Sequence, residues 1–363
     1  MSILYDEGQQ AIATESRRVL EARTSKDRLL KLLTTTGEVD KPFWDTAVEQ
    51  GWTGLAIPEE HGGLGLSLAE LGLVAQQAGA VIAGAPYLTV GYGASQALVA
   101  SGVAEAQAAW LPKLAAGEAI GTVAFAEGTA PLPANPKVTF ADGKLSGTKP
   151  GVTAGITADV AVVLASHQGK PALVLADLAG ATRNAIDSYD NTRLYADLVF
   201  DGTPATLLVE GEAASALALD LLARMAVVTA HEQTGAAEAL LFTARDYALT
   251  RKAFGQPIGA FQSVKHRIAE LYGFVEIARA NCIHAVASEG KDNFLLAAAD
   301  ARISATDAYD TAARDTVQIH GGIGATWEGG LHLHMRRARS LAVEQGNLMF
   351  WEDLLVDHLG EAA

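Results

Sequence analysis

The sequence predicts a mainly α-helical protein with a small β domain at its centre. Three observations carry that reading. From about residue 5 to 115 apolar residues recur every three to four positions, with Ile12, Val19, Leu20, Leu29, Leu32 and Leu33 on one stripe. Between about 119 and 210 the period changes to short β-type runs bounded by turn residues. From about 213 onward the helical period returns in long segments. Strand and helix do not alternate throughout, so neither a doubly wound nor an α/β-barrel layout fits.

Residues 1–117 form the first helical domain. Its interruption, Ile57-Pro58-Glu59-Glu60-His61-Gly62-Gly63-Leu64-Gly65-Leu66, reads as a loop between helices, and Pro112 and Gly117 punctuate its end. Residues 118–212 form the β domain, with strands expected at 122–125, 160–164, 172–175 and 194–200 and a hairpin turn at Asp142-Gly143. Its sheet is expected to be antiparallel and barrel-like. Residues 213–363 carry helices at roughly 213–251, 262–289 and 293–318, then a glycine break and a last helical stretch, which predicts a four-helix bundle. Residues 245–290 place charged and apolar positions at helical spacing, as a bundle helix with one wet face requires. No repeat of fixed period is present.

Composition limits the function. The chain has 363 residues and a formal net charge of −15, so an evenly acidic surface repels nucleic acid and anionic lipid. Hydrophobic residues make up 49% and aromatics only 6%, and alanine supplies about a fifth of the chain. Small aliphatic residues favour closely packed helices over a β-sandwich. The single cysteine, Cys282, excludes an intramolecular disulfide and a Cys-rich zinc cluster, which points to the cytoplasm. The segment Met1-Ser2-Ile3-Leu4-Tyr5-Asp6-Glu7 has neither a basic nor an apolar signal region, and no membrane span is expected.

Two stretches are able to carry chemistry. In Arg251-Lys252-Ala253-Phe254-Gly255-Gln256-Pro257 and the run on to Gln262, a helix ends near Arg251, turns through a Gly/Pro segment and restarts near Phe261. Such a corner presents Arg251 as a bidentate phosphate donor, Phe254 as a stacking surface and Gln262 as a polar reader; the plain alternative is a helix–helix turn. In Gln318-Ile319-His320-Gly321-Gly322-Ile323-Gly324-Ala325-Thr326-Trp327-Glu328, consecutive glycines after a helix let backbone approach a flat or phosphorylated ligand. The glycines do not follow a strand, so a dinucleotide fingerprint is not supported.

In this order the two stretches resemble the acyl-CoA dehydrogenase family of flavoproteins, and the resemblance covers nearly the whole chain. Residues 51–65, opening Gly51-Trp52-Thr53-Gly54-Leu55 and closing His61-Gly62-Gly63-Leu64-Gly65, match the family's first-domain loop. Trp110-Leu111-Pro112-Lys113-Leu114 matches the segment leading into its β domain, and Leu145-Ser146-Gly147-Thr148-Lys149 followed by Val152-Thr153 is similar to its flavin-side strand. The resemblance implies N-terminal helices, a central β domain and a C-terminal four-helix bundle. It also implies FAD, an acyl-CoA substrate, a homo- or heterotetramer, and an electron-transferring flavoprotein or similar acceptor. In the family the two motif stretches reach across to the diphosphate and adenosine of FAD held by a neighbouring subunit. Arg251, Phe254, Gln262, Gln318, Gly321 and Gly322 carry over on that basis, and Thr153 is placed beside the flavin ring.

The chain departs from the family where the chemistry is done. A carboxylate base must take the α-proton while the β-hydrogen leaves as hydride. One branch places that glutamate just before a glycine near the C-terminus. Here, anchored on Gly346, the position holds Gln345, an amide that cannot accept the proton; a slip of one residue would give Glu344. Another branch places it 26 residues before the motif arginine, which here is Met225. Glu232 lies two turns further along the same helical face, roughly 10 Å away; as a base it competes with the reading of a polar residue satisfied inside a bundle. The family's Thr-Glu-Pro-Gly-Ala-Gly-Ser-Asp loop is replaced by Phe125-Ala126-Glu127-Gly128-Thr129-Ala130-Pro131, and its flavin-covering aromatic by Gly151. An intact cross-subunit arm beside a degraded flavin pocket suggests the base-lacking subunit of a heteromeric acyl-CoA dehydrogenase, an arrangement the family uses for bulky steroid-side-chain thioesters. The alternatives are a complete homotetrameric enzyme using Glu344 or Glu232, and a nitroalkane oxidase or monooxygenase type of flavoenzyme on the same fold. His320, His332 and His334 lack a carboxylate at ligand spacing, so no metal is expected. Arg336, Arg337 and Arg339 read either as a cluster holding CoA phosphate or an interface carboxylate, or as a solvated face. Cys282 reads as a small core residue.

Overall fold

The first helix begins where the sequence supplies a cap. In the computed structural model, which describes residues 5–83 and 86–361, the Gln9 amide donates to Asp6 Oδ1 at 2.8 Å and the Asp6 amide donates back to Gln9 Oε1 at 3.2 Å, a capping box. Residues 1–4 of the N-terminal reading lie outside the described residues. Six helices precede the strands: α1 (Glu7–Arg23), α2 (Lys26–Leu33), α3 (Lys41–Glu49), α4 (Leu68–Ala80), α5 (Tyr87–Ser101) and α6 (Ala104–Ala115). Seven strands follow: β1 (Gly121–Ala124), β2 (Thr139–Ala141), β3 (Lys144–Val152), β4 (Val160–His167), β5 (Lys170–Asp177), β6 (Thr182–Ala185) and β7 (Ala196–Glu210). Then come α7 (Glu212–Thr250), the short pair β8 (Lys252–Ala253) and β9 (Gln256–Pro257), α8 (Gln262–Ala287), α9 (Phe294–His320), α10 (Leu331–Leu341) and α11 (Leu348–Glu361). The order helices, strands, helices is the one the sequence predicts.

The chain folds into two compact units. One takes in Lys31–Leu71 and the stretch that ends at Met225; the other takes in the chain before Lys31, Gly72–Ala83 and everything from Ala226 on.

The first unit holds the β domain. Strands β4, β2, β3, β7 and β5 pair in that order and β5 pairs back onto β4, closing a ring. Its interior is filled by Val138, Leu145, Val163, Val174, Leu198 and Phe200. Val160, Ala161, Val162, Val163, Leu164 and Ala165 of β4 are all buried, which is why that strand reads as a continuous apolar run and not as an alternating one. Asp142 and Gly143 turn the β2–β3 hairpin with φ of 49° and 71°, the conformation that favours Asp-Gly. Two pairings differ from the antiparallel expectation: β1 runs parallel to β4, and β2 meets β4 in parallel at Thr139 and Ser166. Neither pair is joined by a tight turn, so direction is set by the returning chain and leaves no local signal.

The second unit is helical. α4 and α7 approach so closely that a Cβ on Gly79 would lie 1.9 Å from the Glu232 carbonyl oxygen, and one on Gly235 would lie 1.8 Å from that of Gln76. These glycines let the backbones touch. The last predicted helical stretch is two helices, α10 and α11. Gln345 and Gly346 lie between them with φ of 52° and 94°, a conformation no helix continues through. By length and composition α7 is also apolar enough to cross a membrane, but 61% of its apolar window is buried inside the protein, as in the core helix of a bundle.

Candidate functional site

The two family base positions lie on very different ground. Met225 is 1% exposed, in a notch where a Cβ on Gly93 of α5 would come within 2.4 Å of its sulfur and 3.1 Å of Val123. It is a core residue. Gln345 sits in the loop after α10, where three buried donors fix it. Thr229 Oγ1 donates to Gln345 Oε1 at 2.9 Å, Trp351 Nε1 donates to its carbonyl at 3.1 Å, and Arg302 Nη2 donates to the preceding carbonyl, of Glu344, at 2.9 Å and to that of Leu341. Arg302 Nη1 also donates to Gln233 Oε1 at 2.5 Å. The 229–233 turn of α7 and the 341–346 loop, far apart in sequence, are thereby brought together. The geometry holds a neutral amide, in a strained left-handed backbone, where the resemblance puts a carboxylate.

The two glutamates offered as replacements are both buried. Glu232 Oε1 accepts from Arg337 Nη1 at 2.8 Å, and Arg337 is 1% exposed, so Glu232 is satisfied within the bundle. Glu344 contributes its carbonyl to Arg302. The basic cluster at 336–339 is therefore neither of the two things the sequence suggested for Arg337. Neighbouring positions on a helix point about 100° apart, so Arg337 turns inward to Glu232 while Arg339 pairs with Asp310.

The motif corner is built for exposure. Arg251, Phe254, Gln262, Gln318, Gly321 and Gly322 are all exposed. β8 and β9 form a two-residue hairpin whose turn, Phe254-Gly255, has φ of 51° and 81°. The Ile258 amide closes it onto the Arg251 carbonyl at 2.8 Å, and Phe254 stands 96% exposed. The sequence reading anticipated a turn here and missed the strands. It also missed the residue that joins the two motifs. Tyr247, one turn before Arg251, stacks its ring on His320 with centroids 4.0 Å apart and donates to the His320 carbonyl at 3.4 Å. Gly321 then turns the chain at φ 59°, and a Cβ on Gly321 or Gly322 would meet nothing within 4 Å. Arginine, aromatic ring and open glycine backbone thus share one end of the helical unit.

The β domain is occupied differently. Thr153 follows β3, and its carbonyl accepts from Thr122 Oγ1 at 2.6 Å. Gly151, at φ 60°, donates its amide to Asp197 Oδ1 at 2.9 Å. Buried Lys149 donates to Glu127 at 2.6 Å and to the Phe125 carbonyl at 2.8 Å. Burial pulls the Lys149 ammonium down to about 8 although Glu127 opposes it. Burial alone would raise Glu127, but Lys149 and the amides of Lys137 and Val138 hold it below the usual carboxylate range. Buried Cys282 has its thiol pushed up to about 12 by burial. His334 meets the Tyr309 hydroxyl at 3.0 Å and His332 stacks on Trp327, so these histidines are engaged with rings.

Comparison with known proteins places the chain. Residues 6–118 match the model of the acyl-CoA dehydrogenase N-terminal domain and residues 215–349 that of the acyl-CoA dehydrogenase C-terminal domain. Acyl-CoA dehydrogenase IpdE2 of Mycobacterium tuberculosis is 34% identical over 304 residues, covering 84% of this chain and 82% of that protein. Among solved structures, a variant of the steroid ACAD Tcur3481-Tcur3483 aligns over 98% of both chains with a TM-score of 0.87 and 26% identity. The ChsE4-ChsE5 complex of Mycobacterium tuberculosis shares the fold, with a TM-score of 0.89 over 99% of both chains and 24% identity.

Proposed function

Because the chain belongs to the acyl-CoA dehydrogenase family, whose members are oxidoreductases acting on CH–CH groups, we propose that it is the base-lacking subunit of a heteromeric acyl-CoA dehydrogenase. The observation that carries this is the contrast between an exposed, preformed arm and a base position filled by a hydrogen-bonded amide. FAD is the family's cofactor, and the arm fits it. Arg251 supplies a phosphate-binding fork, Phe254 an exposed ring, and Gly321 and Gly322 backbone free of any obstructing Cβ. The β-domain face fits it less well, since the Gly151 amide is already taken by the Asp197 carboxylate and position 151 itself is a glycine. When bound, FAD accepts the β-hydrogen of an acyl thioester as hydride. This chain's own residues hold the cofactor's phosphates and leave proton removal to the partner. Gln345 binds no proton, and Glu232 stays paired with Arg337 inside the bundle. A bulky, steroid-like acyl-CoA is the substrate class we favour, supported by likeness to a steroid ACAD whose name joins two proteins. An electron-transferring flavoprotein or a similar acceptor would reoxidise the assembly.

The test is the flavin content of the purified protein. Expressed alone, the chain is expected to be colourless and inactive. With a base-bearing homologue it is expected to yield one FAD per two chains, and desaturation that survives both Glu232→Gln and Glu344→Gln. A yellow, active homo-oligomer would overturn the proposal.

A further inference from the structure

Tyr247 lies outside both motif stretches and touches both. Its carbonyl accepts the Arg251 amide at 2.8 Å, so the corner that carries Arg251 and Phe254 hangs from its backbone. Its side chain holds the other stretch: the ring lies on His320 with planes 23° apart, and the hydroxyl donates to the His320 carbonyl. That carbonyl belongs to the peptide unit leading into Gly321, whose amide donates to the Gln318 carbonyl. The unit is thus held at both its oxygen and its nitrogen. His320 is fixed in turn, because its Nδ1–H donates to the Thr316 carbonyl at 2.8 Å and buried Thr316 Oγ1 donates to the Leu240 carbonyl on α7 at 3.3 Å.

Gly321 needs such anchoring. At φ 59° and ψ −138° it lies in a region that glycine enters readily and other residues do not, and glycine has the most backbone freedom to lose on being fixed. A Cβ on Gly321 or Gly322 would meet nothing within 4 Å, so neither glycine is wedged in place by a neighbour on that side. We propose that Tyr247 is a positioning residue for cofactor binding, which sets the Gly321-Gly322 turn against the Arg251 corner before the ligand arrives. This rests on the reading of the two stretches as a cofactor-binding arm. Where the competent arrangement is only partly populated, apparent affinity falls by that fraction, and an aromatic pair is strong enough to make the difference about tenfold.

FAD is titrated into the deflavinated assembly, whether a homologue or a second copy of this chain completes it, and hydrogen exchange of the isolated chain is followed by mass spectrometry. Tyr247→Leu is expected to speed exchange across residues 319–324 and to weaken FAD binding about tenfold. Tyr247→Phe keeps the stacked ring and should return both readings to near wild type. His320→Leu removes the ring pair from the α9 side, so it should weaken binding to the same extent, and the double variant should be no weaker than either single one. This second variant decides the matter where Tyr247→Leu does not fold. Unchanged FAD affinity in Tyr247→Leu and His320→Leu, beside a loss in Arg251→Gln, would overturn the positioning role and leave the arm standing. Additive losses in the double variant would overturn it too, since the two rings would then act separately. Unchanged affinity in Arg251→Gln as well would remove the arm itself, and the role of Tyr247 with it.

Discussion

Phe254 combines two features that folding alone disfavours: a left-handed backbone and a ring left in water. The first costs a residue with a Cβ about 1 kcal/mol, and the second forgoes about 2 kcal/mol of apolar burial. A turn of this kind favours asparagine before glycine. Phe254→Asn is therefore expected to leave the melting temperature unchanged or raise it, while the assembled complex loses FAD more readily on dilution; unchanged FAD retention would remove Phe254 from the cofactor arm. Glu232 and Arg337 are set by the opposite logic. Breaking a buried pair leaves an uncompensated charge, costing about 3–5 kcal/mol, whereas replacing both partners by apolar residues of similar size is close to neutral. Arg337→Met should destabilise the chain to that extent in urea unfolding, and Glu232→Met with Arg337→Met should recover most of the loss. A double variant that recovers nothing would mean that the loss in Arg337→Met comes from partners of Arg337 other than Glu232.

The close crossing of α4 and α7 carries its own pH dependence. His231 Nδ1–H donates to the Val227 carbonyl at 2.9 Å, and its Nε2 is buried without a partner, in a place where a Cβ on Gly72 would come within 2.9 Å of the ring. Burial lowers its pKa to about 4. The folded state thus favours the neutral ring, so the stability it contributes is complete above pH 6.5 and is lost as pH falls from there through 4, about 3 kcal/mol in all. Relative to His231→Gln, the wild type should lose about that much between pH 7 and pH 4 in denaturant unfolding, and a constant difference would show that His231 does not titrate there. How much of this was legible in the sequence follows from the range of each interaction. The long helices α7, α8 and α9 and the Asp142-Gly143 turn were readable because periodicity and turn chemistry are local. The parallel β1–β4 pairing was not, because its register lies in chain that returns from far away. The division of α10 from α11 turns on a left-handed glutamine, which no propensity favours. The exposed arm could be read from its motif, whereas the Arg337–Glu232 pair spans 105 positions and has no sequence signal.

Across the whole molecule, the large apolar side chains left exposed among the described residues concentrate in the helical unit, Phe242, Leu249, Tyr272 and Ile277 among them. Such side chains are what the assembly proposed above would cover. If the cofactor arm works only against a partner, FAD should stabilise the assembly and not the chain. A ligand that binds the folded state alone adds about 2.7 kcal/mol at a hundredfold excess over its dissociation constant. FAD at that excess is expected to raise the melting temperature of the complex by several degrees and to leave the isolated chain unmoved. Differential scanning fluorimetry on both preparations decides the matter, because an equal rise in the isolated chain would mean that it binds flavin unaided and that the arm serves copies of itself.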